Sequence, residues 1–195
     1  MTVEFDKAFE EVRCLVATFR ANEARYLLPD YQEAEVRKDF VDKFWIALGW
    51  DVNNNEQTNP YEQEVKVERG VLVGASQRRA DYAFYLAPNF HDAQFYVEAK
   101  KPCGDIATAD NYFQTIRYGW NGRTPLGVLT NFEQFHVLDC RYQPDIATAL
   151  QRWVSRYHYT DYALKSCSPR WTKIAAMSEF MSAAPWSRTA TRGAV

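Results

Sequence analysis

The spacing of apolar residues changes period partway along this chain, and that change restricts the fold more than any other feature. Up to Leu48 the apolar side chains recur every three or four positions, as on one face of a helix. Phe5, Phe9, Val12, Val16 and Phe19 form one run, and Val36, Phe40, Val41, Phe44, Trp45 and Leu48 form a second. Pro29-Asp30 divides the two, and Gly49 stands where a glycine commonly closes a helix. From Glu64 the period falls to two. Val65 and Val67, then Val71 and Val73, flank Arg69-Gly70, which predicts a hairpin turning at that dipeptide. Strands over 80–86 and 94–100 follow, separated by a Pro88-Asn89 loop. Next come a helix over 105–120 carrying Ile106, Ala109, Phe113, Ile116 and Trp120, and strands over 126–129 and 135–138. Beyond Asp145 the spacing of Ile146, Leu150, Trp153 and Val154 turns helical again, and 182–195 shows little periodicity. Helices, strands, a helix and more strands predict an α/β fold with a central mixed β-sheet flanked by helices.

At 195 residues the chain fits one domain, expected as a core over 1–145 with a helical extension over 146–195 that frays at its end. An apolar share of 47% excludes intrinsic disorder. The absence of any apolar run near the roughly 18 residues of a membrane span, with acid at the start where a secretory signal carries base, predicts a cytoplasmic protein that does not engage a membrane. Cys14, Cys103, Cys140 and Cys167 are scattered, as are His91, His136 and His158, so the ligand spacing of a zinc site is missing. Charge is uneven: 1–150 hold 16 Lys/Arg against 23 Asp/Glu, and 151–195 hold 7 against 2. The basic end fits a phosphate-facing surface or a solvated tail. An acidic body is compatible with nucleic-acid chemistry where carboxylates bind a divalent cation, because the cation reverses the local field.

Asp81 lies in the first of the two central predicted strands, and Glu98-Ala99-Lys100 ends the second, with sixteen residues between the carboxylates. Strand alternation puts Glu98 and Lys100 on one face, and adjacent strands can bring Asp81 beside them. Two carboxylates at such a place repel unless a cation sits between them, and two hard oxygen ligands suit Mg²⁺. Such an ion acidifies a bound water and offsets charge on a phosphate, while the lysine stabilises the transition state. The same three residues also fit a solvent-facing ion pair. Glu33 precedes Arg37 by one turn, in line with Phe40, Phe44 and Leu48, so its partner is Arg37 or the metal site and its lysine. Gln114 and Tyr118 share a helix face after the Glu98 strand, as site residues or as a half-buried polar face.

Six stretches carry a resemblance: Glu33-Ala34-Glu35-Val36-Arg37, Leu48-Gly49-Trp50-Asp51-Val52, Arg79-Ala80-Asp81-Tyr82-Ala83-Phe84, Val97-Glu98-Ala99-Lys100-Lys101-Pro102, Gln114-Thr115-Ile116-Arg117-Tyr118-Gly119-Trp120 and Leu129-Thr130-Asn131. Over about 30–140 the chain resembles the PD-(D/E)xK nucleases, specifically the N-terminal nuclease domains of type I restriction R subunits and of fused type IIG/IIL restriction-modification enzymes. The resemblance implies a restriction-endonuclease-like fold and Mg²⁺-dependent hydrolysis of double-stranded DNA, with Mn²⁺ able to substitute. It also implies that Asp81, Glu98 and Lys100 are catalytic and that Glu33 is an accessory helix carboxylate. Gln114 and Tyr118 correspond to a Q-x-x-x-Y motif that contacts DNA or supports the lysine, and Arg79 and Lys101 beside the core are further candidates for DNA binding or support of the site. Ala80 replaces the proline of the nominal motif and leaves the carboxylate in place.

The chain has no G-x-x-x-x-G-K-[ST] motor loop and no methyltransferase N-P-P-Y or D-P-P-Y motif. Motor, methyltransferase or specificity modules are therefore expected as partners outside it, with the chain a fragment or a truncated relative. Two rival readings share the fold: a non-catalytic DNA-binding or assembly module, and a repair or junction nuclease.

Overall fold

The computed structural model describes residues 5–55, 59, 61–73 and 76–162. The chain divides into two units, Met1–Ala163 and Leu164–Val195. The second, and with it the expected frayed end and most of the basic segment, lies outside the described residues.

The N-terminal helices form where the apolar stripes predict. Helix α1 (Phe5–Ala21) buries Phe9, Val12, Val16 and Phe19, and the short α2 (Glu23–Tyr26) follows. The second run is not one regular helix. It opens as α3 (Glu33–Val36), widens into a π-helical turn over Arg37–Val41, and closes as α4 (Asp42–Ala47). The spacing explains the widening. Val36, Phe40, Phe44 and Leu48 recur at every fourth position, which on an α-helix of 3.6 residues per turn drifts by roughly 40° per step. A wider turn takes up part of that drift and keeps Val36, Phe40 and Phe44 all buried.

Six strands follow in sheet order β1 to β6: β1 (Val65–Val73), β2 (Ser76–Phe84), β3 (Phe95–Ala99), β4 (Leu126–Thr130), β5 (Gln134–Asp139) and β6 (Trp153–His158). All neighbours are antiparallel except β3 and β4, which run parallel and therefore need a crossover, supplied by α5 (Ala109–Gly122). One face of the sheet packs against the N-terminal helices through aromatic rings. Trp45 lies 4.6 Å from Phe84, Phe84 stacks on Phe95 at 4.5 Å, and Phe19 meets Phe40, Phe132 and Tyr159 at 5.2, 5.2 and 4.9 Å between centroids. The other face is covered by α5.

Two expectations are corrected. Arg69-Gly70 is not a turn: β1 runs through it, with Gly70 opposite Arg79, and the strands close at Val73 opposite Ser76. The alternation was right and the turn signal misled, since a glycine inside a long twisted strand imitates one. The helical spacing over Ile146–Val154 yields instead a 3-10 turn (Ala149–Gln151) and strand β6, with α6 (Tyr159–Tyr162) after it. As a partner on the open edge of β5, β6 gains ladder hydrogen bonds that a periodicity argument does not count, although Trp153 and Val154 stay about half exposed.

Helix α5 lies close on the sheet because two of its residues lack side chains. A Cβ on Gly122 would sit 2.2 Å from Tyr96 Cε2, and one on Gly119 would sit 2.4 Å from Cys140 Sγ. Its start is later than the periodicity implies, because Thr108 caps it by accepting from the Asn111 amide at 3.2 Å.

Candidate functional site

The β2–β3 ladder pairs Phe84 with Phe95, Ala83 with Tyr96 and Tyr82 with Val97, and then ends. One step further the register would set Asp81 opposite Glu98. There the Asp81 carboxylate replaces the ladder: its Oδ2 accepts from the Ala99 amide at 2.7 Å. On the far side β3 stays anchored to β4, with the Lys100 amide donating to the Thr130 carbonyl at 2.9 Å. The end of β3 is thus held on both sides, and Asp81, Glu98 and Lys100 are brought together as the spacing predicts.

Glu98 is 4% exposed. Its Oε1 accepts from Lys100 Nζ at 2.7 Å and from Gln114 Nε2 at 2.6 Å, while its Oε2 is buried with no hydrogen-bond partner. Burial, and next the negative charge of Asp81, push its pKa up to about 7, against the pull of Lys100. Burial works against the Lys100 ammonium, but Glu98, Glu33 and Asp81 hold its pKa above the ordinary value.

Gln114 also donates to Tyr118 Oη at 3.2 Å, so the pair one turn apart on α5 forms a short chain ending on Glu98. Glu33 on α3 is partly buried, and its pKa is raised by burial and by Asp81, with Lys100, Arg37 and Lys101 opposing. Its charge is felt at the cluster, but it forms no ion pair with Arg37. Lys101 is exposed, and Arg79 turns to Glu68, 3.6 Å away.

Arg37 goes to Asp81 instead. Its Nη1 donates to Asp81 Oδ1 at 3.2 Å, its Nε donates to Tyr82 Oη at 3.3 Å, and its guanidinium lies 5.0 Å from the Tyr82 ring centroid. Tyr82 Oη in turn donates to Asp42 Oδ1 at 2.6 Å. Burial raises the pKa of Asp42, with the Tyr82 hydrogen bond opposing. Arg37 opens the π-helical turn, so the irregularity in the helix and the ligand of Asp81 are the same feature. Sequence reasoning offered Arg37 only as a partner for Glu33, and it missed Tyr82 and Asp42. The one available signal was the four-residue spacing of the stripe. Arg78 and Arg117 were also missed. With Phe113, Gln114 and Tyr118 they line an open groove of about 240 Å³ next to the cluster.

Among the described residues no three His, Cys, Asp or Glu side chains converge as a metal site. The available anionic donors are Asp81 and Glu98. Each Asp81 oxygen accepts one hydrogen bond, and an ionised carboxylate accepts about four in all. The arrangement can therefore take a cation between two carboxylates, beside an ammonium with two further donor hydrogens.

No family model matches the chain. It is similar to the type II restriction enzyme and methyltransferase RM.Eco57I of Escherichia coli, with 31% identity over 156 residues, which is 78% of this chain and 15% of that enzyme. Among solved structures it is similar to the type IIG restriction endonuclease BpuSI, with a TM-score of 0.40 and 16% identity over 61% of this chain and 14% of that one. The chain thus spans about one seventh of the length of either protein, and its sequence likeness is to a segment of a restriction-modification enzyme.

Proposed function

We propose that the chain is the Mg²⁺-dependent DNA endonuclease domain of a restriction-modification enzyme, hydrolysing phosphodiester bonds of double-stranded DNA. The observation that carries the reading is the Glu98 carboxylate, buried beside Asp81 with Oε2 bonded to nothing. An orphaned buried carboxylate oxygen costs stability, about 1–3 kcal/mol or more for a charged group. Such a cost is expected where a function uses the atom, and a divalent cation is the partner that the donor set fits. Mg²⁺ takes one or two carboxylates together with waters and substrate phosphate oxygens, so Asp81 and Glu98 would suffice to hold it. Mn²⁺ would substitute.

When bound, the cation supplies Lewis acidity and an acidified water. The remaining roles fall to this chain. Lys100 spends one ammonium hydrogen on Glu98 and keeps two for the attacking water or a non-bridging phosphate oxygen, where charge grows in the transition state. Gln114 fixes Glu98 Oε1 from the opposite side, with Tyr118 behind it. Arg37 and the Ala99 amide each hold one oxygen of Asp81. Glu33 keeps negative charge near Lys100 and so helps hold it protonated.

The relative's name joins a restriction enzyme to a methyltransferase, which favours the fused type IIG/IIL arrangement over the type I one, with methyltransferase and specificity modules as partners. Cleavage of plasmid DNA by the full chain, with calorimetric Mn²⁺ titration alongside, tests the reading. Cleavage is expected with Mg²⁺ or Mn²⁺ and none with chelator, and Asp81→Asn and Glu98→Gln should each weaken Mn²⁺ binding while the fold persists. Unchanged Mn²⁺ affinity in both variants overturns it. Metal and DNA binding without cleavage in any assembly would favour the non-catalytic module.

A further inference from the structure

We infer that the groove between β2 and α5 binds the phosphodiester backbone of the DNA flanking the scissile bond, with Arg78 and Arg117 as its phosphate contacts. This rests on the nuclease reading above and extends it to residues which that reading does not use. The groove, about 240 Å³, is several times the roughly 30 Å³ that a water occupies in the liquid, and it is open to solvent. Among the described residues its lining contains two arginines and no acid, in a part of the chain where 1–150 carry 16 Lys/Arg against 23 Asp/Glu. A locally basic groove on an acidic body concentrates polyanion binding there and repels it elsewhere.

The two guanidinium groups are available. Among the described residues neither has a carboxylate partner, whereas Arg79, next to Arg78 in β2, is spent on Glu68 at 3.6 Å. Arg117 lies 5.1 Å from the Phe113 ring, which orients its planar fork while leaving its edge free for bidentate hydrogen bonds to a phosphate. The groove also joins the catalytic cluster. Gln114, which lines it, donates to Glu98 at 2.6 Å, so a strand lying along Arg117 and Arg78 leads to the carboxylates in one direction.

Binding of a fluorescein-labelled DNA duplex to the full chain, followed by anisotropy in EDTA over a series of salt concentrations, separates binding from cleavage. Each phosphate contact contributes about −0.9 to the slope of log K against log salt. Arg78→Ala and Arg117→Ala should each weaken binding severalfold at low salt and flatten the slope by about 1, while Arg25→Ala, at an arginine paired with Asp30 at 2.8 and 2.9 Å on α2, leaves both unchanged. Arg78→Lys, which keeps the charge, should retain the slope. Melting temperatures of the variants check that the fold is intact. Wild-type affinity in both alanine variants, or an equal loss in Arg25→Ala, overturns the inference and leaves the nuclease reading standing. Losses as expected in a protein that never cleaves DNA support the groove and remove the nuclease reading. Absence of any duplex binding by the wild-type chain overturns the groove as well.

Discussion

Replacing Glu98 by glutamine should make the metal-depleted protein more stable, although it removes a carboxylate central to the proposed chemistry. The Glu98 pKa is about 7 in the folded protein against an ordinary 4.5. The folded state therefore binds more protons than the unfolded one between these values. Stability falls as pH rises through that window and stays lowered above it. A difference of this size corresponds to about 3 kcal/mol at alkaline pH, and to almost nothing near pH 4. Glutamine has the shape of the protonated acid and no charge to desolvate. Glu98→Gln should thus gain about 3 kcal/mol at pH 8, roughly 6–12 °C in Tm for a chain of this length, with little gain at pH 4. His136 moves the opposite way. Burial, assisted by Arg156, lowers its pKa to about 4, so it is neutral in the fold, and its contribution is lost as pH falls from 6.5 towards 4. It is common to both proteins and cancels when variant and wild type are compared at each pH. Urea denaturation in EDTA near pH 4 and pH 8 measures the margin. Mg²⁺ should then stabilise the wild type, by about 2.7 kcal/mol at one hundred times Kd, and narrow the gap. A Glu98→Gln protein less stable than wild type at pH 8, or one with the same margin at both pH values, would show that ionised Glu98 is not a strained group.

Three other perturbations separate roles within the cluster. Lys100→Ala should lower single-turnover cleavage by about 10²–10³ while leaving Mn²⁺ binding in place, and Lys101→Ala, at an exposed side chain, should cost a few-fold at most; equal losses would refute the division. Tyr82→Phe removes the hydroxyl that sits 2.6 Å from Asp42 and 3.3 Å from Arg37, so urea denaturation should show a loss of about 1.5–3 kcal/mol, and an unchanged midpoint would count against the network. Gly122→Ala improves helix propensity by about 1 kcal/mol, yet its methyl would fall 2.2 Å from Tyr96 Cε2; net destabilisation with reduced cleavage is expected as α5 lifts Gln114 from Glu98, and a stabilised, fully active variant would refute the close seating of α5.

Sequence alone determined the local elements and the face on which chemistry can occur. The switch from a helical to an alternating period is a property of neighbouring residues, and it located α1, the α3–α4 run, β2, β3, α5, β4 and β5 without tertiary information. Strand alternation is equally local, so Glu98 and Lys100 had to share a face, and one helical turn had to separate Gln114 from Tyr118 on another. Where a local signal had two meanings, the sequence was insufficient: Arg69-Gly70 served as strand interior, and Ile146 to Val154 paired with β5 because an open sheet edge offers hydrogen bonds that periodicity does not register. The tertiary structure decided everything that depends on distance across the chain. It assigned Arg37 to Asp81, forty-four residues away, and not to Glu33, four residues away, because the π-helical turn places Arg37 over Tyr82. It also put Arg78 into the groove and Arg79 onto Glu68, and it buried Glu98 Oε2 without a partner. Desolvation and pairing arise only when separate segments close over a group, so a sequence can name the carboxylate but only the packed structure makes it costly to ionise.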